Sequence, residues 1–154
     1  MAAALDAHNQ IMRALIATHA GYEVKTEGDA FMVAFQDPKN ALAWCLASQN
    51  ALLAAQWPTP ILSHPAAEPS RAASGVLIFQ GPRVRMGIHW GNVETRLDPT
   101  THRADYFGPT VNKAARVGSA AHGGLVLITA DAWDAAQSTP AAFDADLRDI
   151  GSHR

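Results

Sequence analysis

Five polar residues stand out by type and spacing in a 154-residue chain that is 48% hydrophobic and 17% charged. Lys25 and Asp29 sit at either side of a tight turn in "YEVKTEGDAFMVAF", Asp105 precedes a Tyr-Phe-Gly turn in "HRADYFGP", and Asn112 and Arg116 lie four apart in "GPTVNKAARVG". Four-residue spacing on a helix puts Asn112 and Arg116 on one face, where both can reach one ligand. A guanidinium stays charged and donates through a fixed fork, which suits phosphate oxygens. A turn at a strand end presents the Asp29 carboxylate outward on a rigid support. Each residue also has a plain structural reading. Gly and Asp are common in turns, Lys25 alternates with apolar Val24 as on a solvated strand face, Asp105 suits a turn or cap, and arginines on helices usually face water.

The elements that must hold these residues follow from periodicity. Leu5, His8, Met12, Leu15, Ile16 and His19 recur at spacings of three and four, so the pattern predicts an amphipathic helix over residues 2–19, ended by Gly21. Residues 22–26 and 30–35 read as a hairpin turning at Gly28-Asp29. Asp37 as N-cap and Pro38 at the first helical position open a second helix that runs to about Gln56, with Leu42, Cys45, Leu46 and Leu52 on its inner side. "RVRMGIHWGNVETRL" predicts two strands around Gly91, and "HRADYF" leads into a turn. Pro109 starts a helix, "GGLVLIT" is a buried strand, Thr129 caps the short helix "ADAWDAAQ", and "ADLRDIGSHR" reads as the start of a final hairpin cut short. Residues 57–82 hold five of the nine prolines and read as a surface insertion. The order of elements predicts an α+β sandwich, with helices packed on a mainly antiparallel sheet.

Composition narrows the function classes. The length suits one domain with one core. A formal net charge of −2 argues against a generally basic nucleic-acid surface. The single cysteine, Cys45, excludes an internal disulfide and argues against a cysteine-based metal site, and a reducing compartment is the default. No apolar run approaches the roughly 20 residues needed to span a bilayer, and the first ten residues lack the pattern of a signal peptide. His64, His102, His122 and His153 have no metal-ligand spacing among them. No Walker loop or dinucleotide fingerprint is present.

"KTEGDAFMVAF", "VRMGIHWGNV" and "DYFGPTVNKAARV", in that order, together resemble the catalytic domain of the class III nucleotidyl cyclases, the adenylate and guanylate cyclase family. The resemblance extends from the first helix to residue 154, and the wording "GYEVKTEGDAFM" with the Pro-rich insertion looks closest to the protist receptor-type adenylate cyclases. It implies a ferredoxin-like sandwich of the cyclase type. It also implies a lyase that converts ATP to 3′,5′-cyclic AMP and pyrophosphate in intracellular signal transduction.

Residue by residue, the resemblance makes Asp29 the second of two metal-binding aspartates, serving two Mg2+ (or Mn2+) ions. It makes Lys25 and Asp105 the pair that reads adenine, with the lysine donating to N1 and the aspartate accepting from the 6-amino group. Guanine presents the inverse pattern, and a site built on such hydrogen bonds can reject the wrong partner by factors on the order of 10⁴. Asn112 matches the asparagine that orients the ribose, and Arg116 the arginine that stabilises charge on the pentavalent α-phosphate. For His89 the resemblance implies a core strand and a structural role.

The same pattern implies a head-to-tail homodimer, or a heterodimer of cyclase domains, with each site built from two chains. It places the domain in the cytoplasm, without membrane contact by this segment and with any membrane anchor elsewhere in the parent protein. The family's first metal aspartate lies in a Phe-x-Asp-Ile strand upstream of the first helix, and a lysine that contacts the triphosphate lies in the final hairpin. Neither has a counterpart here. Residues 1–154 therefore read as a partial catalytic domain trimmed at both ends, and the chain alone is expected to be inactive. A noncatalytic module of the same fold, dimerising or sensing nucleotide, is the alternative class, and a guanylate cyclase is the third choice.

Overall fold

A computed structural model describes residues 2–137, 143 and 145–151. Helix α1 (Ala2–Thr18) buries His8, Met12 and Ile16 along the expected stripe, although Leu5 stays 38% exposed. The chain reverses through Ala20, whose φ is +55°, and not through Gly21, which already begins strand β1 (Gly21–Glu27). Gly21 instead leaves room for an aromatic ring. A Cβ there would come within 2.7 Å of the Phe35 ring on strand β2 (Ala30–Phe35). Strands β1 and β2 form the expected antiparallel hairpin.

Helix α2 (Pro38–Ala54) starts as its sequence requires, with Asp37 accepting a hydrogen bond from the Lys39 amide at 2.9 Å and Pro38 in the first turn. Its inner face buries Leu42, Trp44 and Cys45 against Met12 and Ile16 of α1 and against the sheet residues Met86 and Ile88, while Leu46 packs on the edge of that core. Burial pushes the Cys45 thiol up to about 12, so it is an inert core residue. Leu52 belongs to a second cluster with Ala4 and Trp57.

Trp57 anchors the start of the Pro-rich segment, and its indole N–H donates to the Leu52 carbonyl at 2.9 Å. Beyond it come a helical turn, α3 (Thr59–Leu62), and a short hairpin of β3 (Ser70–Arg71) and β4 (Leu77–Phe79). Between Pro58 and Gln80 only Ala67 is buried.

The two strands expected around Gly91 do form, as β5 (Met86–Ile88) and β6 (Glu94–Leu97), but with different partners. The stretch read as leading into a turn is itself strand β7 (Ala104–Phe107), which pairs antiparallel with β6. Strand β5 instead pairs parallel with β8 (Val126–Ile128). Parallel neighbours need a crossover, and helix α4 (Pro109–Ala120) lies on the path between them. The ladders thus comprise three antiparallel pairs and one parallel pair among the described residues. Helix α5 (Ala130–Gln137) follows β8, with the Thr129 hydroxyl 3.4 Å from the Ala132 amide at its start. Residues 145–151 form no strand, and 152–154, the remainder of the expected final hairpin, lie outside the described residues.

Candidate active site

The side of β1 on which Lys25 stands is set by a bulge. Tyr22 opposes Ala34 and Glu23 opposes Val33, but Lys25 opposes Met32, so Val24 is an extra residue without a partner on β2. Cross-strand partners share a face, and Ala34 and Met32, two apart, lie on the same one. Tyr22 and Lys25 therefore share a face despite their odd separation. Plain alternation would have turned Lys25 the other way, and a bulge is a common device for re-aiming one side chain beside a site. The opposite face carries Glu23 and Thr26. Arg13 of α1 grips the Glu23 carboxylate through Nε and Nη2, and this ion pair holds the Glu23 carboxyl below its ordinary range.

On its own face Lys25 meets Asp105 of β7, with Nζ 3.5 Å from Oδ1. The two strands belong to different ladders. The Tyr106 amide donates to the same Oδ1 at 2.8 Å, which fixes the carboxylate. Oδ2 remains without a partner among the described residues. Lys25 is 45% exposed and Asp105 34%, so the pair itself adds only about 0–1 kcal/mol of stability. A separated donor and acceptor, open to solvent, are thus available to a ligand. The Phe107 ring, two residues along the same face of β7, lies 5.9 Å from Lys25 Nζ and 5.6 Å from the Arg96 guanidinium.

Strand β7 hands over to α4 through Gly108, whose φ of 108° and ψ of −175° suit glycine alone. Pro109 begins the helix, and the Thr110 hydroxyl donates to the Asn92 carbonyl at 2.6 Å. Helix α4 has no buried residue, and Asn112 and Arg116 both point to solvent, one turn apart, with no side-chain partner among the described residues. Two further contacts hold the helix in place. Lys113 pairs with Asp131 of α5 at 3.3 Å, and the backbone of Gly118 lies against Gly87 of β5 so closely that a Cβ on Gly87 would sit 2.1 Å from the Gly118 nitrogen.

Asp29 is paired with none of the other four among the described residues. It follows Gly28 (φ +64°) in the hairpin turn, is exposed, and makes no side-chain hydrogen bond or ion pair among the described residues. Among those residues no three His, Cys, Asp or Glu side chains form a group that could hold a metal ion. His89 donates to or accepts from the Thr129 hydroxyl at 2.9 Å, and burial, then the nearby Lys113, lowers its pKa. That contact ties β5 to the start of α5, in keeping with a structural part.

The structure thus brings Lys25 and Asp105 together, keeps Asn112 and Arg116 on one open helix face, and leaves Asp29 on a turn of its own. Sequence reasoning missed the Val24 bulge and the Gly87 contact. A glycine inside the strand "RMGIH" is a signal of close backbone approach, whereas nothing in "YEVKTE" marks the bulge.

Comparison with known proteins gives the family and the fold. Residues 1–151 match the model of the "Adenylate and Guanylate cyclase catalytic domain" family. An adenylate cyclase of Lachancea kluyveri is 50% identical over 131 residues, which cover 85% of this chain and 7% of that enzyme, so the chain spans a small part of its relative's length. An adenylate cyclase structure from Trypanosoma brucei, in its monomeric state, aligns with a TM-score of 0.76 at 34% identity over 87% of this chain and 65% of that one. The expected likeness to protist cyclases is therefore accompanied by a higher identity to a fungal one. A non-canonical dimeric guanylyl cyclase domain from Blastocladiella emersonii shares the fold, with a TM-score of 0.64 at 20% identity over 90% of this chain and 71% of that one. Solved domains of this fold thus include monomers and dimers. With a family match over nearly its whole length, this chain belongs to the adenylate and guanylate cyclase catalytic domain family.

Proposed function

We propose that the chain supplies substrate-binding and catalytic groups of an adenylate cyclase, which closes ATP to 3′,5′-cyclic AMP. The ribose 3′-oxygen bonds to the α-phosphorus, the bond from that phosphorus to the β-phosphate bridging oxygen breaks, pyrophosphate leaves, and the 3′-hydroxyl proton passes to solvent. The observation that carries this reading is the Lys25–Asp105 pair, an ammonium donor 3.5 Å from a carboxylate whose second oxygen has no partner among the described residues. Adenine offers an acceptor at N1 beside a donor at its 6-amino group, so Lys25 and Asp105 match it and mismatch guanine. Asn112 orients the ribose from α4. Arg116, one turn on, donates to the α-phosphate oxygens and balances the charge that grows there.

Domains of this family use divalent metal ions. The exposed, unpaired Asp29 carboxylate is a hard oxygen donor and fits a magnesium or manganese ion whose other ligands are phosphate oxygens and water. Among the described residues no group of three or more His, Cys, Asp or Glu side chains is assembled around it. When bound, the ions would supply charge neutralisation along the triphosphate.

This reading takes a head-to-tail pair of chains, as the family resemblance implies, with Asp29 from one and Lys25, Asp105, Asn112 and Arg116 from the other at each site. Phe107, exposed on the same face of β7 as Asp105, gives such a partner an apolar contact beside the site. ATP and a second cyclase domain are therefore the partners of this reading, and residues 57–82 are its insertion. The cytoplasm, where ATP is abundant, is its compartment. None of the described helices is long and apolar enough to cross a membrane.

Exchanging Asp29 for asparagine tests the assignment. In the full-length protein Asp29→Asn is expected to abolish cyclic AMP formation while the thermal midpoint stays within about 2 °C, because an exposed turn residue contributes little to stability. A large drop in midpoint, or retained activity, would make Asp29 a turn residue only.

A further inference from the structure

Strands β1 and β7 share no backbone ladder among the described residues, yet the distance between Lys25 and Asp105 depends on how they sit. Two side chains join them. The Tyr22 hydroxyl donates to the Ala104 carbonyl at 3.2 Å and accepts from the Ala104 amide at 3.1 Å, so one oxygen holds both polar groups of the residue before Asp105. The Arg103 guanidinium crosses in the opposite sense, with Nη2 donating to the Glu23 carbonyl and Cζ 5.6 Å from the Tyr22 ring centroid. Tyr22 also packs against Tyr106, ring centroids 6.0 Å apart. Because of the Val24 bulge, Tyr22 and Lys25 leave β1 from the same face.

We propose that Tyr22 is a positioning residue for base recognition, its hydroxyl setting the spacing of the Lys25 and Asp105 heads through its grip on Ala104. The inference rests on the reading of Lys25 and Asp105 as the adenine-reading pair. A hydrogen-bonded clamp suits the task better than apolar packing, because it fixes β7 along the strand direction as well as across it. A slip of about 1 Å would leave Lys25 and Asp105 unable to meet N1 and the 6-amino group together, while Asn112 and Arg116, held through Gly87 and Lys113, would keep their places.

The test measures kcat and KM for ATP and for GTP in the full-length protein carrying Tyr22→Phe, which deletes the hydroxyl and keeps the ring. The expected result is a KM for ATP raised about five- to tenfold, an ATP-to-GTP preference lowered by a similar factor, and kcat for ATP within about twofold of the unmutated value. Arg103→Met, which leaves Tyr22 intact, should shift the same preference less, and it serves if Tyr22→Phe does not fold. An unchanged ATP-to-GTP preference in both variants, with or without a fall in thermal midpoint, would overturn the proposal and leave Tyr22 a structural tie. Lys25→Ala measured alongside separates the two levels. If it alters the preference and the clamp variants do not, only the positioning role fails. If it too has no effect, the base-reading assignment fails and the inference with it.

Discussion

Mixed in equal amounts, the Asp29→Ala and Arg116→Ala forms of the full-length protein, each nearly inactive alone, are expected to recover about a quarter of the unmutated activity. The Arg116→Ala form loses its balance to the α-phosphate charge, a change that typically lowers turnover by about 10²–10³. The Asp29→Ala form loses its metal carboxylate. In a homodimer of either variant both sites carry the defect. In a mixed dimer the two-fold axis sends both defects to one site and leaves the other intact. With free exchange about half the dimers are mixed, each with one working site of two, which yields the quarter. Asn112→Ala should complement Asp29→Ala but not Arg116→Ala, since Asn112 and Arg116 lie on one helix of one chain. Activity of the mixtures, read after native mass spectrometry has verified exchange, decides the matter. No recovery would exclude a site shared in this way.

The second large effect concerns two glycines that face each other with unequal room. Gly87→Ala puts a methyl group 2.1 Å from the Gly118 backbone nitrogen, where no flexible side chain can move aside. Helix α4 must back away from β5, at a cost of about 1–3 kcal/mol or more for forced overpacking. In a domain of this size that lowers the thermal midpoint by roughly 5–10 °C. Asn112 and Arg116 move with the helix, so activity should fall further than stability. Gly118→Ala is the control. Its Cβ would lie 3.5 Å from the Gly87 nitrogen, an ordinary contact, and alanine is favoured over glycine inside a helix by about 1 kcal/mol. Thermal melts should therefore show Gly87→Ala destabilised and Gly118→Ala neutral or improved. Equal losses in the two variants would mean that α4 is not seated as described.

Helices and the first hairpin were legible because local rules and burial agree there. Asp37 and Pro38 start α2, and Met12 and Ile16 repeat at helical spacing in α1. Partner choice among short strands was not legible. Met86–Ile88 and Glu94–Leu97 are too short for alternation to declare a neighbour, and the parallel pairing of β5 with β8 depends on α4 crossing between them. At the site, the four-residue spacing of Asn112 and Arg116 gave their shared face directly. The approach of Lys25 to Asp105, 80 residues apart, came only through the motif resemblance. Its physical cause is the Val24 bulge, a one-residue slip in the ladder that leaves no mark in residue type.

The most direct test of the adenylate cyclase reading exchanges donor and acceptor character at the base. Lys25→Glu with Asp105→Cys in the full-length protein replaces the ammonium with an acceptor and removes the carboxylate, and the ratio of cyclic AMP to cyclic GMP formed from equimolar ATP and GTP is then measured by chromatography. The unmutated protein should form cyclic AMP in excess by a factor of about 10² or more, since each unmatched buried hydrogen bond costs about 1–3 kcal/mol. The double variant should lose cyclic AMP sharply and gain in relative cyclic GMP. A ratio that is the same in both proteins would contradict the assignment of Lys25 and Asp105, and with it the claim that this domain selects ATP through them.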